Sequence, residues 1–440
     1  MVLPDIAQHL KQKEPSFTPP SEKPAAFGPA CLQYFSLDPK WLHMNNGSYG
    51  SAPKCVQQAV TEWQDISNRL PDVFHKRLYQ DPLNRVRAGV AELVNTDKDN
   101  VVLVNNSTTA ANVIFRSVPW KEGDVIVCYN TAYISCATTL KWLHDRYGVQ
   151  VEIIDLVYPV EDDVVLDLTS QKIHQLKEQG LNVKLMLLDA ISSIPGVRLP
   201  WERITALLRR EQVMSLVDGA HAIGQIPIDL DKTKPDFFLS NLHKWLFGHR
   251  GSTFLYVDPR LQDMIQNVPT AMSYVPEGDT FTPNDNYTST SRFVTQFEWP
   301  TTLHFGPLLS GDVAMAFRKW LGGEEAIQGY TSQLAKEGGQ LIADMLGTEV
   351  MQAKDSDLIP SMVNVGLPLL IVQDQVLFGK MLAELNRSLM EDYYTWAFPY
   401  LHDGKPWIRM SAQIYLGLED FKKFGEILKT VCAKVSAMTE

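Results

Sequence analysis

Four short segments place side chains that can do chemistry directly after runs of strand-forming residues. The run at 101 to 104 leads into Asn106-Ser107-Thr108-Thr109-Ala110-Ala111-Asn112. Hydroxyls and free N–H groups at the start of a helix make an anion site that suits a phosphate, although plain N-capping by Ser107 or Thr108 explains the same pattern. Asp218 closes the next informative run and is followed by Gly219, Ala220 and His221. A carboxylate at a strand end can meet a metal, a ribose or a protonated ring nitrogen, and without clustered His, Asp or Glu partners the metal is the weakest of the three. Ser240-Asn241-Leu242-His243-Lys244-Trp245-Leu246 follows another run. A lysine between a strand end and a Trp, Leu and Phe cluster loses water, which lowers its pKa and frees the amine to condense with a carbonyl; the alternative is a surface lysine beside a packing cluster. Arg409 lies inside the apolar run Trp407-Ile408-Arg409-Met410. A buried guanidinium needs an anion, and either a substrate carboxylate or an internal Asp or Glu would satisfy it.

These segments need a scaffold that gathers strand ends. Strand-like runs at 101 to 104, 125 to 129, 151 to 157, 183 to 189, 213 to 218 and 236 to 240 alternate with helical patterns near 108 to 117, 133 to 147, 169 to 179 and 201 to 211. Such alternation predicts parallel strands joined by right-handed crossovers, and ligands then sit beyond the carboxyl ends of the strands. Two amphipathic helices precede the sheet, one from Pro53 with Val56, Ala59, Val60, Trp63 and Ile66 on its apolar face, the other over 83 to 94. After the sheet come helical patterns at 313 to 321, 324 to 345, 376 to 387 and 418 to 437, with strands at 363 to 369 and 407 to 412. The expected organisation is an arm over 1–30, a large α/β domain over 31–305 and a smaller α+β domain over 306–440. The arm carries Pro4, Pro15, Pro19, Pro20, Pro24 and Pro29 and is free to pack on the C-terminal unit or on a partner subunit.

Composition narrows the classes. Of 440 residues, 45% are hydrophobic and 21% charged, enough for a large core. The 40 Lys and Arg against 51 Asp and Glu leave a net charge of −11, which disfavours nucleic acid and anionic membranes. No stretch reaches the ~18 apolar residues of a membrane span, and the N-terminus lacks an apolar signal core. The five cysteines are scattered without a CxxC pair, so neither a disulfide framework nor a metal site is expected. A cytoplasmic protein follows as the expectation.

An anion cradle, a strand-end carboxylate, a strand-end lysine and a C-terminal arginine, in that order, are what pyridoxal phosphate (PLP) chemistry requires. At these residues the sequence resembles the class V aminotransferase and cysteine desulfurase-like group of fold type I PLP enzymes, over about residues 35 to 435. The resemblance implies that fold: a large, mostly parallel sheet domain and a smaller C-terminal α+β domain, usually as a homodimer with small-molecule amino-acid substrates. Asn45-Asn46-Gly47-Ser48-Tyr49-Gly50 is similar to the family's entry motif, with Asn46 on the substrate side, and Arg69-Leu70-Pro71-Asp72-Val73-Phe74 to the segment after it. Ser107, Thr108 and Thr109 match the phosphate loop, Tyr133 the residue that stacks on the ring, and Ser193 the polar neighbour of the ring hydroxyl. Asp218 and His221 match the ring-nitrogen carboxylate and its companion, Ser240 and His243 phosphate ligands, Lys244 the Schiff-base lysine and Arg409 the substrate-carboxylate arginine.

The resemblance also bears on the reaction. Desulfurases of the group carry a nucleophilic cysteine in the C-terminal third, yet no cysteine lies between residues 137 and 431. Segments around Tyr133-Ile134-Ser135-Cys136, Leu156-Val157-Tyr158-Pro159 and Ser192-Ser193-Ile194-Pro195-Gly196 resemble the fungal hercynylcysteine sulfoxide lyases. This implies an enzyme that forms a Cα carbanion and expels sulfur from a cysteine conjugate or sulfoxide. Cys136 shares a helix face with Tyr133 and could reach the site, or it is a buried core residue. One departure stands out: where the family has Gly-Thr and then Asp, here stand Thr301, Thr302 and His304. Thr302 keeps the hydroxyl that would reach the neighbouring subunit's phosphate. That departure, with the short stretch 370 to 405, leaves a likeness to loline-pathway PLP enzymes open, and with it Mannich-type ring closure or epimerisation at Cα.

Overall fold

Short runs of β-branched and aromatic residues, buried on both faces in all but the edge strand β3, build one seven-stranded sheet: β1 (Val101–Val104), β2 (Val125–Tyr129), β3 (Gln150–Ile154), β4 (Val183–Asp189), β5 (Met214–Asp218), β6 (Phe237–Asn241) and β7 (Thr253–Val257). The structure is a computed structural model and describes residues 14–276, 279–282, 289, 291–369 and 375–439. The strand order is β1-β7-β6-β5-β4-β2-β3. Strands β3, β2, β4, β5 and β6 pair in parallel, while β7 runs antiparallel to both β6 and β1. The six expected runs all form strands; β7 is an addition, wedged between β1 and β6. Continuous burial of the central strands demands cover on both faces, and the helices Ser107–Ser117, Ile134–Tyr147, Asp162–Glu178 and Trp201–Arg210 alternate with the strands to supply it. The third of these starts at Asp162, seven positions ahead of the residue 169 expected from apolar spacing, because Asp162 and Asp163 occupy its first turn where the helix dipole favours anions.

Register is what positions the site. Asp189 pairs with Asp218 and Asp218 with Leu239, so the carboxyl ends of β4, β5 and β6 converge at one edge. The connection after β6 tightens at once into the short helix Leu242–Trp245. Gly50 (φ +70°) lies against this turn so closely that an added Cβ would fall 1.6 Å from the His243 carbonyl oxygen, a position only glycine can hold.

A second core surrounds β8 (Met362–Gly366), β9 (Phe398–His402) and β10 (Lys405–Ser411), an antiparallel sheet in the order β8-β10-β9. The helices Gly323–Leu346 and Leu418–Ser436 cover it. Cys31, Phe35, Leu42 and Met44 belong to this core, with Phe17 and Phe27 packed against it. The described part of the arm therefore lies on the C-terminal unit, and a boundary at residue 31 cuts through one hydrophobic cluster. Residues 1–13 of the expected arm and 370–374 of the short stretch before the Arg409 strand fall outside the described residues. Among the described residues no helix is long and apolar enough to cross a membrane, and no group of three or more His, Cys, Asp or Glu could hold a metal.

Candidate active site

One cleft lies at the convergent strand ends. Its lining includes Ser48, Asn106, Ser107, Thr108, Tyr133, Cys136, Asp189, Ser193, Asp218, His221, Asn241, His243 and Lys244. The sheet edge and the helix starts that follow it thus bring together most of the residues singled out in the sequence.

At its centre is Lys244. Burial and the nearby Arg409 charge lower its pKa to about 8 against the opposing pull of Asp218, so the amine is far more readily unprotonated than an ordinary lysine. Its Nζ lies 3.1 Å from His221 Nε2. Burial first, then the charges of Lys244, Arg409 and His243, push His221 well below the usual histidine range, and the ring is neutral. Asp218 is 3% exposed. Burial raises its pKa, while the Ala220 N–H, which donates to Oδ1 at 2.9 Å, and Lys244 work to keep it ionised. Asp189 beside it has no such help: burial and the charge of Asp218 raise it strongly. Two adjacent buried carboxyls cannot both ionise easily, so the proton resides on Asp189 and the negative charge on Asp218. Cys136 donates its thiol to Asp218 Oδ2 at 3.6 Å. Burial and the two carboxylates raise it well above the usual thiol value, which makes it a neutral donor; as a nucleophile it is ill suited.

Arg409, on β10 and fully buried, does not itself line the cleft but lies behind its wall, bonded to the lining residues Ser193 and Ser48. Its Nη1 donates to the Ser193 carbonyl at 2.6 Å and Ser193 Oγ at 3.3 Å, and its Nη2 to Asn45 Oδ1 and Ser48 Oγ, each at 2.9 Å. All four acceptors are neutral, and Nε is buried without a partner. Burial lowers the pKa only to about 10, so the guanidinium stays charged. Of the two readings open for it, no internal Asp or Glu is bonded to it among the described residues.

Several expected residues are placed differently. Ser240 is fully buried, its hydroxyl donating to the Gly219 carbonyl and accepting the Ile223 N–H at 3.1 Å. Alternation along β6 turns its neighbour to the cleft instead: Asn241 Oδ1 accepts the Ser107 N–H at 3.2 Å and the Thr253 hydroxyl at 2.6 Å. Thr109 bonds Asn106 Oδ1 through both its N–H (2.8 Å) and its hydroxyl (3.1 Å); it does not line the cleft, and Asn106, in place of Ser107 or Thr108, is the residue that caps the helix. Asn46 braces the lysine turn: Nδ2 donates to the Lys244 carbonyl at 3.0 Å, and Oδ1 accepts from Ser51 at 3.0 Å. Its neighbours Asn45 and Ser48 are the ones that reach Arg409. Thr302 lies in a separate cavity with Trp63, His75 and His304. Tyr133, 44% exposed, stands at the mouth just before the helix Ile134–Tyr147. Asp189 and Asn241 were not singled out in the sequence. Asp189 carries the same signal as Asp218, a carboxylate closing an apolar run.

Solved structures share this architecture. The cystine C-S lyase C-DES, in a complex with cysteine persulfide, matches with a TM-score of 0.71 and 17% identity over 88% of this chain and 97% of that one. A variant of C-DES carries glycine covalently linked to its PLP cofactor. The fold and the cleft define a fold type I PLP enzyme. The chain belongs to the class-V aminotransferase family, whose model matches residues 51–380. An L-cysteine desulfhydrase-like protein, lolT1, from Epichloe uncinata is 32% identical, with 94% of this chain and 98% of that one covered. Hercynylcysteine sulfoxide lyase from Schizosaccharomyces pombe is 28% identical over 92% of this chain and 98% of its own length.

The cofactor is PLP, and the residues present suit it. Ser107 Oγ is buried without a partner at the start of an eleven-residue helix, a donor set for a phosphate. Asp218 offers an ionised carboxylate for a ring nitrogen, and Lys244 an amine for the aldehyde. His243, whose Nδ1 lies 3.1 Å from the Ser252 carbonyl, and Asn241 complete the polar wall beside Ser107.

Proposed function

We propose that the protein is a carbon–sulfur lyase acting on a cysteine conjugate or sulfoxide. The observation that carries this reading is a Lys244 amine whose pKa is brought down to about 8, in a cleft whose wall residues Ser48 and Ser193 are bonded to a buried, charged Arg409 that pairs with no Asp or Glu among the described residues. The names of the relatives, a cysteine desulfhydrase-like protein and a hercynylcysteine sulfoxide lyase, support the sulfur chemistry, and the absence of a cysteine between residues 137 and 431 argues against a persulfide-forming nucleophile in that stretch.

When bound, PLP supplies the aldehyde that captures the substrate's amino group and the ring that accepts the electron pair left at Cα. The rest falls to the chain. Arg409 holds the α-carboxylate in its planar fork, the carboxylate taking the place of neutral side-chain acceptors such as Asn45 and Ser48. Lys244 Nζ takes the proton from Cα and, as an ammonium, can return it to the departing sulfur. Asp218 holds a proton at the ring nitrogen by charge. Ser107, Thr108, Asn241 and His243 hold the phosphate, Tyr133 covers the ring and Ser193 faces its hydroxyl. Sulfur and pyruvate release from cysteine conjugates tests the reading; exchange of the α proton without release of sulfur would favour cyclisation or epimerisation instead.

Three outcomes follow. Because the base must be unprotonated, kcat should rise with pH through an acid limb near 8, the value to which burial and Arg409 bring Lys244; a flat profile from about pH 6 to 9 would contradict the role. Asp218→Asn removes the cleft's negative charge and should lower kcat by about 10²- to 10³-fold, measured with the cofactor's visible absorbance still present. Cys136→Ser keeps a donor toward Asp218 Oδ2 and removes only the thiol, so kcat should change by less than about tenfold; a complete loss would restore a catalytic role for the thiol.

We also propose a homodimer in which Thr302 serves the partner subunit's phosphate, since its cavity is separate from the cleft of its own chain. Sedimentation should then give twice the 49.6 kDa chain mass.

A further inference from the structure

Trp245 follows Lys244 directly and is 2% exposed. Its indole Nε1–H donates to His221 Nδ1 at 3.2 Å. An indole nitrogen only donates, so Nδ1 must accept. The imidazole is neutral, and a neutral ring that accepts at Nδ1 carries its proton on Nε2. Nε2 is the atom 3.1 Å from Lys244 Nζ. A donor there can meet only the lone pair of a neutral amine; an ammonium would set hydrogen against hydrogen. The opposite tautomer, which would welcome an ammonium, would turn an Nδ1–H into the indole N–H.

We infer that Trp245 is a positioning residue: by fixing His221 as the Nε2–H tautomer it favours the unprotonated form of the Lys244 amine when that amine is free in the cleft. The inference rests on the proposed role of Lys244 as the base. The other groups facing this pair are Asp218 from β5, whose charge favours the ammonium, Arg409 from β10, which opposes it, and His243 beside His221. Trp245 therefore tips a balance between an anion and a cation that are both built into the fold.

The test compares holoenzyme variants. In Trp245→Phe the imidazole is free to present a lone pair at Nε2, and the acid limb of kcat should move up by about one pH unit, the worth of one net hydrogen bond. KM at pH values above both limbs should stay unchanged. Replacing Trp245 with its benzothiophene analogue, which exchanges only N–H for S, should give the same shift without the loss of volume. Nitrogen-15 NMR of histidine-labelled protein gives a reading independent of activity. The His221 signals, identified by their loss in His221→Gln, should show an unprotonated Nδ1 in the parent and a tautomer mixture in both 245 variants. In the His221→Gln background, Trp245→Phe should produce no further shift of the limb. An unmoved limb together with an unchanged tautomer in the benzothiophene variant overturns the inference. Turnover by Lys244→Ala with the parental limb would instead overturn the role of the base, and the NMR result would still report on the tautomer.

Discussion

Lys244→Ala should reduce turnover by about 10⁴-fold or more, since a positioned general base alone contributes about 10² to 10⁴ and the same amine also anchors the cofactor. The fold should survive. What holds the lysine turn is backbone and neighbour chemistry: Asn46 Nδ2 bonds the Lys244 carbonyl at 3.0 Å, and Gly50 packs beneath the turn. Neither involves the amine. Far-ultraviolet circular dichroism should therefore match the parent. Borohydride reduction of the parent should leave the cofactor's mass on the peptide containing residue 244, and no other lysine should take its place in the variant. Turnover within tenfold of the parent would refute the assigned chemistry. The identity of the neighbour matters too: His221 Nε2 would lose its partner at 3.1 Å and have only solvent or ligand to meet, so added small amines could restore part of the activity.

What could be read in the sequence depended on how local the signal was. Asp218, His221 and Lys244 were legible because residue type and position after an apolar run suffice to place them at a strand end. Ser240 misled by one position. The phase of alternation along β6 is set by its pairing with β7, which places Asn241 opposite Thr253, and β7 itself was not foreseen. β9 was missed as well; Pro399 interrupts its run, though it lies beside only one partner strand, where a missing N–H is tolerated. Asp189 needed the register that sets it beside Asp218. Asn46 was expected on the substrate side, but it does not line the cleft; only the three-dimensional approach of the entry segment to the lysine turn shows that it braces the turn while Asn45 and Ser48 reach the arginine. For the arm the sequence left packing on the C-terminal unit or on a partner subunit open, because its prolines obscure the apolar residues Phe17 and Phe27 that tie it to the second core.

Arg409→Ala should lower kcat/KM by about 10²-fold or more. A carboxylate in a guanidinium fork makes two charge-assisted hydrogen bonds, each worth about 1.5–3 kcal/mol. Arg409→Lys keeps the charge and loses the fork, so it should fall between the variant and the parent. If the amino acid's carboxylate is not what Arg409 holds, an amine lacking that carboxylate would be discriminated against equally by parent and variant; if it is, only the parent should prefer the amino acid. The substitution also removes hydrogen bonds to the Ser193 carbonyl, Asn45 and Ser48, half-buried groups for which each lost bond is worth about 0.5–1.5 kcal/mol, so the melting temperature should drop alongside. A second consequence separates this from mere destabilisation. Arg409 is one of the charges that hold the Lys244 pKa down; without it the amine keeps its proton to higher pH, and the acid limb of kcat should move upward. Loosened packing alone would admit water around Lys244, which also raises its pKa, but Arg409→Lys retains the cation and should leave the limb near its parental position even as kcat/KM falls.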